Sequence, residues 1–233
     1  MNGHDDSSAN PPASAPCAMH EVDAAYMGLS GVGAPRPAAQ LAAWRKATRE
    51  QLIAARLAVP AATRRQFDRR IAQTLQDLLG DLADRVVSAY WPFRGEVDLR
   101  PWLTDILAHG AQAALPVVIA QGKPMVFRVW TPGTPMTRGV WNIPIPAAEA
   151  ATVIPDVVIA PVVGFDADCY RLGYGGGFFD RTLAELPRRP RFVGVGHDSA
   201  RLPTIHPQGH DIAMDAVVTE AGVVTPRVGS REA

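Results

Sequence analysis

The chain has 233 residues, 47% of them hydrophobic, and its 23 basic residues are balanced by 23 acidic ones. This is long enough for one complete α/β core, and a formal net charge of zero excludes an overall basic field that would gather nucleic acid or an acidic membrane surface. No apolar run approaches the roughly 20 residues of a spanning helix, and Cys17 and Cys169 fit neither a zinc spacing nor a disulfide framework, so a soluble protein of the reduced cytoplasm is expected.

Residues 1–37 are rich in Ala, Pro, Ser and Gly, begin acidic and lack a continuous apolar stretch; they read as a disordered tail, not an export signal. A single domain is expected over residues 38–226, with a flexible end over 227–233. Over residues 37–59, Leu41, Trp44, Leu52, Ile53 and Leu57 recur at helical spacing up to Pro60. A second helix carries the stripe Phe67, Ile71, Leu75, Leu78 and Leu79 and stops at Gly80. "RVVSAYWPF" reads as a buried strand, "DLRPWLTDILAHG" as a helix, and "AALPVVIA" and "PMVFRVW" as strands. After a Pro- and Gly-rich stretch over residues 131–146 come the strand "PDVVIAPVVGF", a glycine loop, a helix through "FFDRTLAEL", and the strands "RFVGVGHD" and "DAVVTE". Apolar strands alternating with amphipathic helices predict an α/β fold, a mostly parallel central sheet covered on both faces. Ligands then bind beyond the carboxyl ends of the strands.

The loop "RLGYGGGFFDR" places Gly173, Gly175, Gly176 and Gly177 immediately before a helix start. Backbone N–H groups there can turn toward one point unobstructed by Cβ atoms, and the helix dipole adds to the attraction for phosphate. The loop is neither a Walker A motif nor a dinucleotide fingerprint, and a structural turn is the competing reading. Arg171 could reach a phosphate, and Asp180 in the first helical turn could either hold a cation or simply compensate the dipole.

In the first helix, Arg45, Arg49 and Arg56 fall within roughly 40° of one another, flanked by Leu41, Leu52 and Ile53. Arginines inside an apolar stripe either snorkel around a core edge or point into a cleft to meet an oxyanion. His197, His206 and His210 with Asp211 do not form a zinc motif, because "HPQGH" cannot put two histidines on one helical face; His197 is expected at a strand end or in the cleft. Trp44 and Trp102 follow core spacing, whereas Trp91 and Trp141, beside prolines or loop ends, suit a flat ligand wall as well as a core.

The segment "GFDADCYRLGYGGGFFDRTL", with "GEVDL", "WNIPIP", "VGVGHD" and "HDIAMDAVVTE" in order, resembles the 5-formyltetrahydrofolate cyclo-ligase (5,10-methenyltetrahydrofolate synthetase) family over residues 44–224. The resemblance implies a three-layer α/β/α fold and ATP- and magnesium-dependent cyclisation of 5-formyltetrahydrofolate to 5,10-methenyltetrahydrofolate, with ADP and phosphate released. It also implies that Arg45 or Lys46, Arg49, Arg171, Leu172, Gly173, Tyr174, Gly175, Gly176, Gly177, Phe178 and Phe179 bind ATP. Asp180 and Asp211 would hold magnesium, and Trp91, Trp141, Tyr174 and Glu96 would take the reduced folate, Glu96 by hydrogen-bonding the pterin. The partner is then a small molecule, with no nucleic acid or membrane, and a monomer or weak dimer is expected. Arg45 stands where the family usually has Lys, Phe178 and Phe179 where many members have tyrosine, and Tyr174 where some are basic. These departures leave a rival reading, a paralogue of the same fold that binds nucleotide or folate without turnover. For the cyclisation itself no nucleophile is required: phosphoryl transfer depends on positive charge, amide donors and metal, and ring closure on holding N10 against the formyl carbon.

Overall fold

The computed structural model describes residues 37–227, so the expected tail and flexible end lie outside it except for Pro37 and Arg227. Local chemistry explains the helix limits. α1 (Ala38–Ala58) is dominated by Ala, Leu, Arg and Gln, strong helix formers, and Pro60 interrupts the run. α2 (Ala61–Leu79) begins directly after that proline and ends at Gly80, whose φ of 69° is left-handed backbone that glycine adopts without a Cβ clash. α3 (Arg100–Ala108) carries Pro101 in its first turn, where the missing N–H is no loss. α4 (Phe178–Glu185) follows the glycine loop.

The strands in chain order are β1 (Val86–Ser88), β2 (Gln112–Val118), β3 (Met125–Val129), β4 (Met136–Arg138), β5 (Pro144–Pro146), β6 (Thr152–Val153), β7 (Val157–Pro161), β8 (Gly164–Phe165), β9 (Arg171–Leu172), β10 (Arg191–Val195), β11 (Ala216–Thr219) and β12 (Gly222–Val224). Eight of them form one sheet in the order β12-β11-β10-β7-β1-β2-β3-β6. Its centre, β2-β1-β7-β10-β11, is parallel, while β3, β6 and β12 pair antiparallel at the edges. The chain moves from β1 to β2 in one direction and from β7 to β10 in the other, so the crevice beyond the carboxyl ends of β1 and β7 is the topological switch point, where such sheets bind ligands.

Alternation along the strands builds three layers. Val87, Ala113, Leu115, Val157, Ile159, Val193, Val195 and Val218 face Ile71 and Leu75 of α2 and Trp102, Leu103 and Ile106 of α3. Their neighbours Ala114, Val158, Ala160, Phe192 and Val217 face the other way, toward Phe179 and Leu183 of α4. The three-layer expectation therefore holds, with a mixed sheet whose parallel strands occupy the buried centre.

Two stretches differ from the sequence reading. The strand expected over "RVVSAYWPF" is paired only over Val86–Ser88, with one more bond from the Ala89 N–H to the Ala114 carbonyl; Pro92 has no N–H to extend the ladder, and positive φ at Arg94 and Gly95 then turns the chain. Residues 131–146 contain the hairpin β4/β5 with one 3₁₀ turn, Val140–Asn142, at its tip, where Trp141 has a φ of 56°; the prolines that mask it as loop are tolerated on a two-stranded ribbon.

α1 belongs to neither apolar cluster and lies across the sheet's carboxyl end, bonded to segments that follow β1 and β9. Its Leu52 rests on Gly164: a Cβ there would lie 2.8 Å from Leu52 Cδ1 and 3.0 Å from Leu202 Cδ1. Gly164→Ala is accordingly expected to cost about 1–3 kcal/mol in urea unfolding, as overpacking does. Combined with Leu52→Ala it should cost less than the two single changes added; strict additivity would mean that the helix does not rest there.

Candidate active site

The switch-point crevice opens into a cleft of about 240 Å³ lined from α1, the segment after β1, the β4/β5 hairpin and the whole glycine loop. α1 supplies its positive charge. Arg45 Nη2 donates to the Asp211 carboxylate at 2.7 Å and to the His206 carbonyl at 2.9 Å, while its buried Nε has no protein partner among the described residues. One turn on, Arg49 Nε donates to the Gly173 carbonyl at 2.6 Å. Its guanidinium lies against Gly175, whose absent Cβ would stand 3.4 Å from it. Burial first, and the like charge of Arg45 second, lower the Arg49 pKa; Asp211 opposes them. Two guanidiniums thus share one carboxylate, an imbalance that an anion would relieve. Lys46, in contrast, is exposed and outside the cleft lining, because one helical step turns it away from Arg45.

The loop between β9 and α4 needs its glycines for two different reasons. Gly175 and Gly177 have φ of 97° and 62°, the left-handed region where a Cβ is costly. Gly176 permits close approach, since a Cβ would lie 2.6 Å from the Phe178 ring. Among the described residues, the N–H groups of residues 174–177 donate to no backbone carbonyl, and those of the first α4 turn are unpaired by helix geometry. The loop thereby presents unpaired amides at a helix N-terminus, a geometry that suits an anion. Leu172, 1% exposed, and Phe179, stacked on Phe192 at 6.3 Å, supply apolar footing beside it.

Arg171 is in the cleft wall, with one edge of its guanidinium committed to Asp180. Its Nη2 donates to Asp180 Oδ2 at 2.7 Å, and its guanidinium carbon sits 5.5 Å from the centre of the Phe179 ring and 5.1 Å from that of Phe192. Asp180 Oδ1 accepts the Ile212 N–H at 3.0 Å, which brings the preceding residue, Asp211, alongside. Asp211 Oδ2 also accepts the Gln208 N–H at 2.8 Å. Among the described residues no group of three or more His, Cys, Asp or Glu side chains is placed to hold a metal. A pair of carboxylates beside such a loop is nonetheless a donor set that could hold magnesium, which takes one or two protein carboxylates and completes its shell with phosphate oxygens and water.

Across the cleft is an aromatic wall. Trp141 is stacked on Phe93 at 6.3 Å with 8° between the planes, and the Tyr174 ring lies 5.7 Å from Trp141 and 6.0 Å from Phe93. Trp91 also lines the cleft, its edge toward Trp130 at 6.5 Å. Glu96 Oε2 accepts the Phe93 N–H at 2.9 Å, and Oε1 accepts the Tyr174 hydroxyl at 2.9 Å. Burial pushes the Glu96 carboxyl up to about 7 against the opposing pull of Arg56, the Phe93 amide and Tyr174.

The crevice therefore gathers every sequence-predicted site residue except Lys46. Phe93 and Tyr90 are additional: Phe93 reads as the end of a strand, and nothing in its spacing marks it as the partner of a tryptophan 48 positions away. Arg56 belongs to the arginine stripe, but its partners are in another segment. Trp44, read as core, is only half-buried and sits edge-on to His206 at 4.9 Å. His197 is buried at the end of β10 against Phe67, and is absent from the cleft lining.

An α/β sheet with an anion-binding glycine loop, converging guanidiniums and a facing aromatic wall at its switch point defines a small-molecule-binding protein that handles phosphate. Residues 41–220 match the 5-formyltetrahydrofolate cyclo-ligase family, and the chain belongs to that family. It is 32% identical over 187 residues to the 5-formyltetrahydrofolate cyclo-ligase of Mycolicibacterium smegmatis, covering 77% of this chain and 95% of that one. With the enzyme of the same name from Escherichia coli K12 it shares 32% identity over 144 residues, 59% of this chain and 79% of the other. The structure of Aquifex aeolicus 5,10-methenyltetrahydrofolate synthetase superposes with a TM-score of 0.68 at 26% identity, over 81% of this chain and 96% of that one.

Two expectations follow from the charges. Asp180→Ala leaves the buried Arg171 guanidinium uncompensated and should cost about 3–5 kcal/mol in urea unfolding, a loss that an Asp180 serving only a metal would not produce. The folded pKa of Glu96 lies above its ordinary value of 4.5, so its contribution to stability is complete below about pH 4.5 and is lost as the pH rises through about 7. Over that window the wild type should lose stability relative to Glu96→Gln; parallel curves for the two proteins would show that the carboxyl titrates normally.

Proposed function

We propose that this cleft carries out the reaction of the family to which the chain belongs, the ATP-dependent cyclisation of 5-formyltetrahydrofolate to 5,10-methenyltetrahydrofolate with release of ADP and phosphate. One observation carries the reading: the phosphate-type loop, with Arg45 and Arg49 above it, opens into the same cleft as the Phe93–Trp141–Tyr174 wall and the Glu96 carboxyl. A phosphoryl donor and a flat, hydrogen-bonding acceptor can therefore meet.

In this reading the amides of residues 174–177 and the N-terminal end of α4 receive the terminal phosphate of ATP. Arg45 and Arg49 neutralise its growing charge. Asp180 and Asp211 would hold magnesium, which would supply positive charge to the phosphate oxygens. Arg171 keeps Asp180 in place. Trp141 and Phe93 flank the pteridine, and Glu96 hydrogen-bonds its polar edge; a carboxyl that titrates near 7 can act there as acceptor or donor.

The chemistry matches these parts. A formamide carbon is a weak electrophile and its oxygen a poor leaving group; accepting the γ-phosphoryl on that oxygen changes both. N10 then attacks the carbon, phosphate departs, N10 loses its proton, and the methenyl bridge remains. The chain's own contribution is electrostatic and positional: it stabilises the transferring group and holds N10 against the carbon, with no covalent enzyme intermediate. A cytoplasmic enzyme, monomeric or weakly dimeric and acting on a small molecule without nucleic acid, is in keeping with the balanced charge. Among the described residues no helix is long and apolar enough to cross a membrane.

Growth of methenyl absorbance from 5-formyltetrahydrofolate is expected only when MgATP is present. Arg49→Ala should lower kcat/KM for ATP by about 100-fold or more, the loss typical of one transition-state donor, while lowering the melting temperature by only about 2–4 °C, the cost of its lost bond to the Gly173 carbonyl. Nucleotide binding by the wild type without any turnover would instead favour a sensor or carrier built on this fold.

A further inference from the structure

Tyr174 is part of both halves of the cleft. Its backbone lies in the phosphate-type loop, between Gly173, whose carbonyl is held by Arg49 at 2.6 Å, and Gly175 with its φ of 97°. Its hydroxyl, at the far end of the side chain, accepts a hydrogen bond from Arg56 Nη2 at 2.7 Å and donates one to Glu96 Oε1 at 2.9 Å. The chain of contacts continues at both ends. Arg56, 8% exposed, also donates through Nε to the Arg94 carbonyl at 3.0 Å, and Glu96 accepts the Phe93 amide N–H at 2.9 Å. Arg56 is two turns along α1 from Arg49, on the same face. The segment carrying the pteridine-facing residues Phe93 and Glu96 is thus joined to the loop by one phenol, and both are joined to the helix whose other arginines face the phosphate side.

Four glycines in five positions give that loop little conformational restraint of its own. What ties it is the Arg49 bond at its start and the Tyr174 hydroxyl near its middle. A phosphate that draws the loop amides together sets where the phenol sits and hence which rotamer of Glu96 is supported. A pteridine that fixes Glu96 holds the phenol and so orders the loop. Ordering at one half lowers the entropy that the other must lose on binding, and such coupling is reciprocal.

We propose that Tyr174 is the joint between the two half-sites, a positioning residue through which nucleotide and reduced folate each tighten the binding of the other. The inference rests on the functional reading above and goes beyond it, since two ligands can share a cleft and still bind independently.

The test is calorimetric titration of the full chain with a non-hydrolysable ATP analogue and magnesium, with and without saturating 5-formyltetrahydrofolate. The wild type should show a nucleotide Kd at least about fivefold tighter in the presence of the folate; in Tyr174→Phe, which keeps the ring and its contacts with Phe93 and Trp141, the ratio should fall to near one. Arg56→Gln, which alters the same chain from the helix side, should also reduce it. A wild-type ratio of one, or an undiminished ratio in Tyr174→Phe, overturns the proposal while leaving the functional reading intact. Failure of the wild type to bind either ligand overturns that reading and this inference with it. A second readout separates coupling from mere packing: the phenol hydrogen bond favours the Glu96 carboxylate, so the ¹³C titration midpoint of Glu96, about 7 in the wild type, should move upward in Tyr174→Phe. An unmoved midpoint would show that the hydroxyl does not govern the carboxyl.

Discussion

The bond from Arg49 Nε to the Gly173 carbonyl, 2.6 Å long, is the contact on which the arrangement of the cleft depends. α1 is not held by a core: only Leu41 and Arg56 of its residues are buried. Its seat on the sheet's carboxyl end comes from Leu52 against Gly164 and from guanidiniums reaching carbonyls and a carboxylate of three separate segments. Charged groups that would ordinarily be solvated instead act as the fasteners of a helix. The same groups are the source of positive potential over the glycine loop, so holding the helix and attracting an anion are one electrostatic arrangement.

The loop below them is anchored more rigidly at its far end than its glycines suggest. Thr182 of α4 is buried; its hydroxyl donates to the Phe178 carbonyl at 2.7 Å and accepts the Met125 N–H of β3 at 2.8 Å. Phe179 rests on Phe192 of β10, and the Arg171–Asp180 pair closes the base at 2.7 Å. Flexible backbone is therefore confined to a few residues between two fixed ends, which suits amides that must converge on a ligand without a large ordering cost. The buried ion pair gives Asp180 a structural duty.

Opposite the charges, the cleft is apolar. Phe93 and Trp141 stack along one side, and the Glu96 carboxyl is placed where burial raises its proton affinity. A polar, positively charged end and an aromatic end are what a phosphoryl donor and a planar heterocycle require of a common chamber.

Much of this was legible in the chain. Periodicity located α1 to within a residue at either end, and Gly80 and Pro60 marked the boundaries of α2. Alternation of apolar strands with amphipathic helices predicted the covered sheet, and the "RLGYGGGFFDR" segment identified the loop. These features are local: propensity, period and the steric freedom of glycine act over a few residues. The β4/β5 hairpin, the shortness of β1 and the antiparallel edge strands were not legible, because they depend on pairing partners far away in sequence. The same distinction divides the site. Sequence alone determined that three arginines share one helical face and that a glycine-rich turn precedes a helix. Only the tertiary structure decided that Arg45 and Arg49, not Lys46, enter the cleft, that Arg171 is committed to Asp180, and that Phe93 meets Trp141 and Tyr174 meets Glu96. Each is a contact between segments whose separation along the chain leaves no local signal, and each is settled by where the sheet order β2-β1-β7-β10-β11 brings its loops.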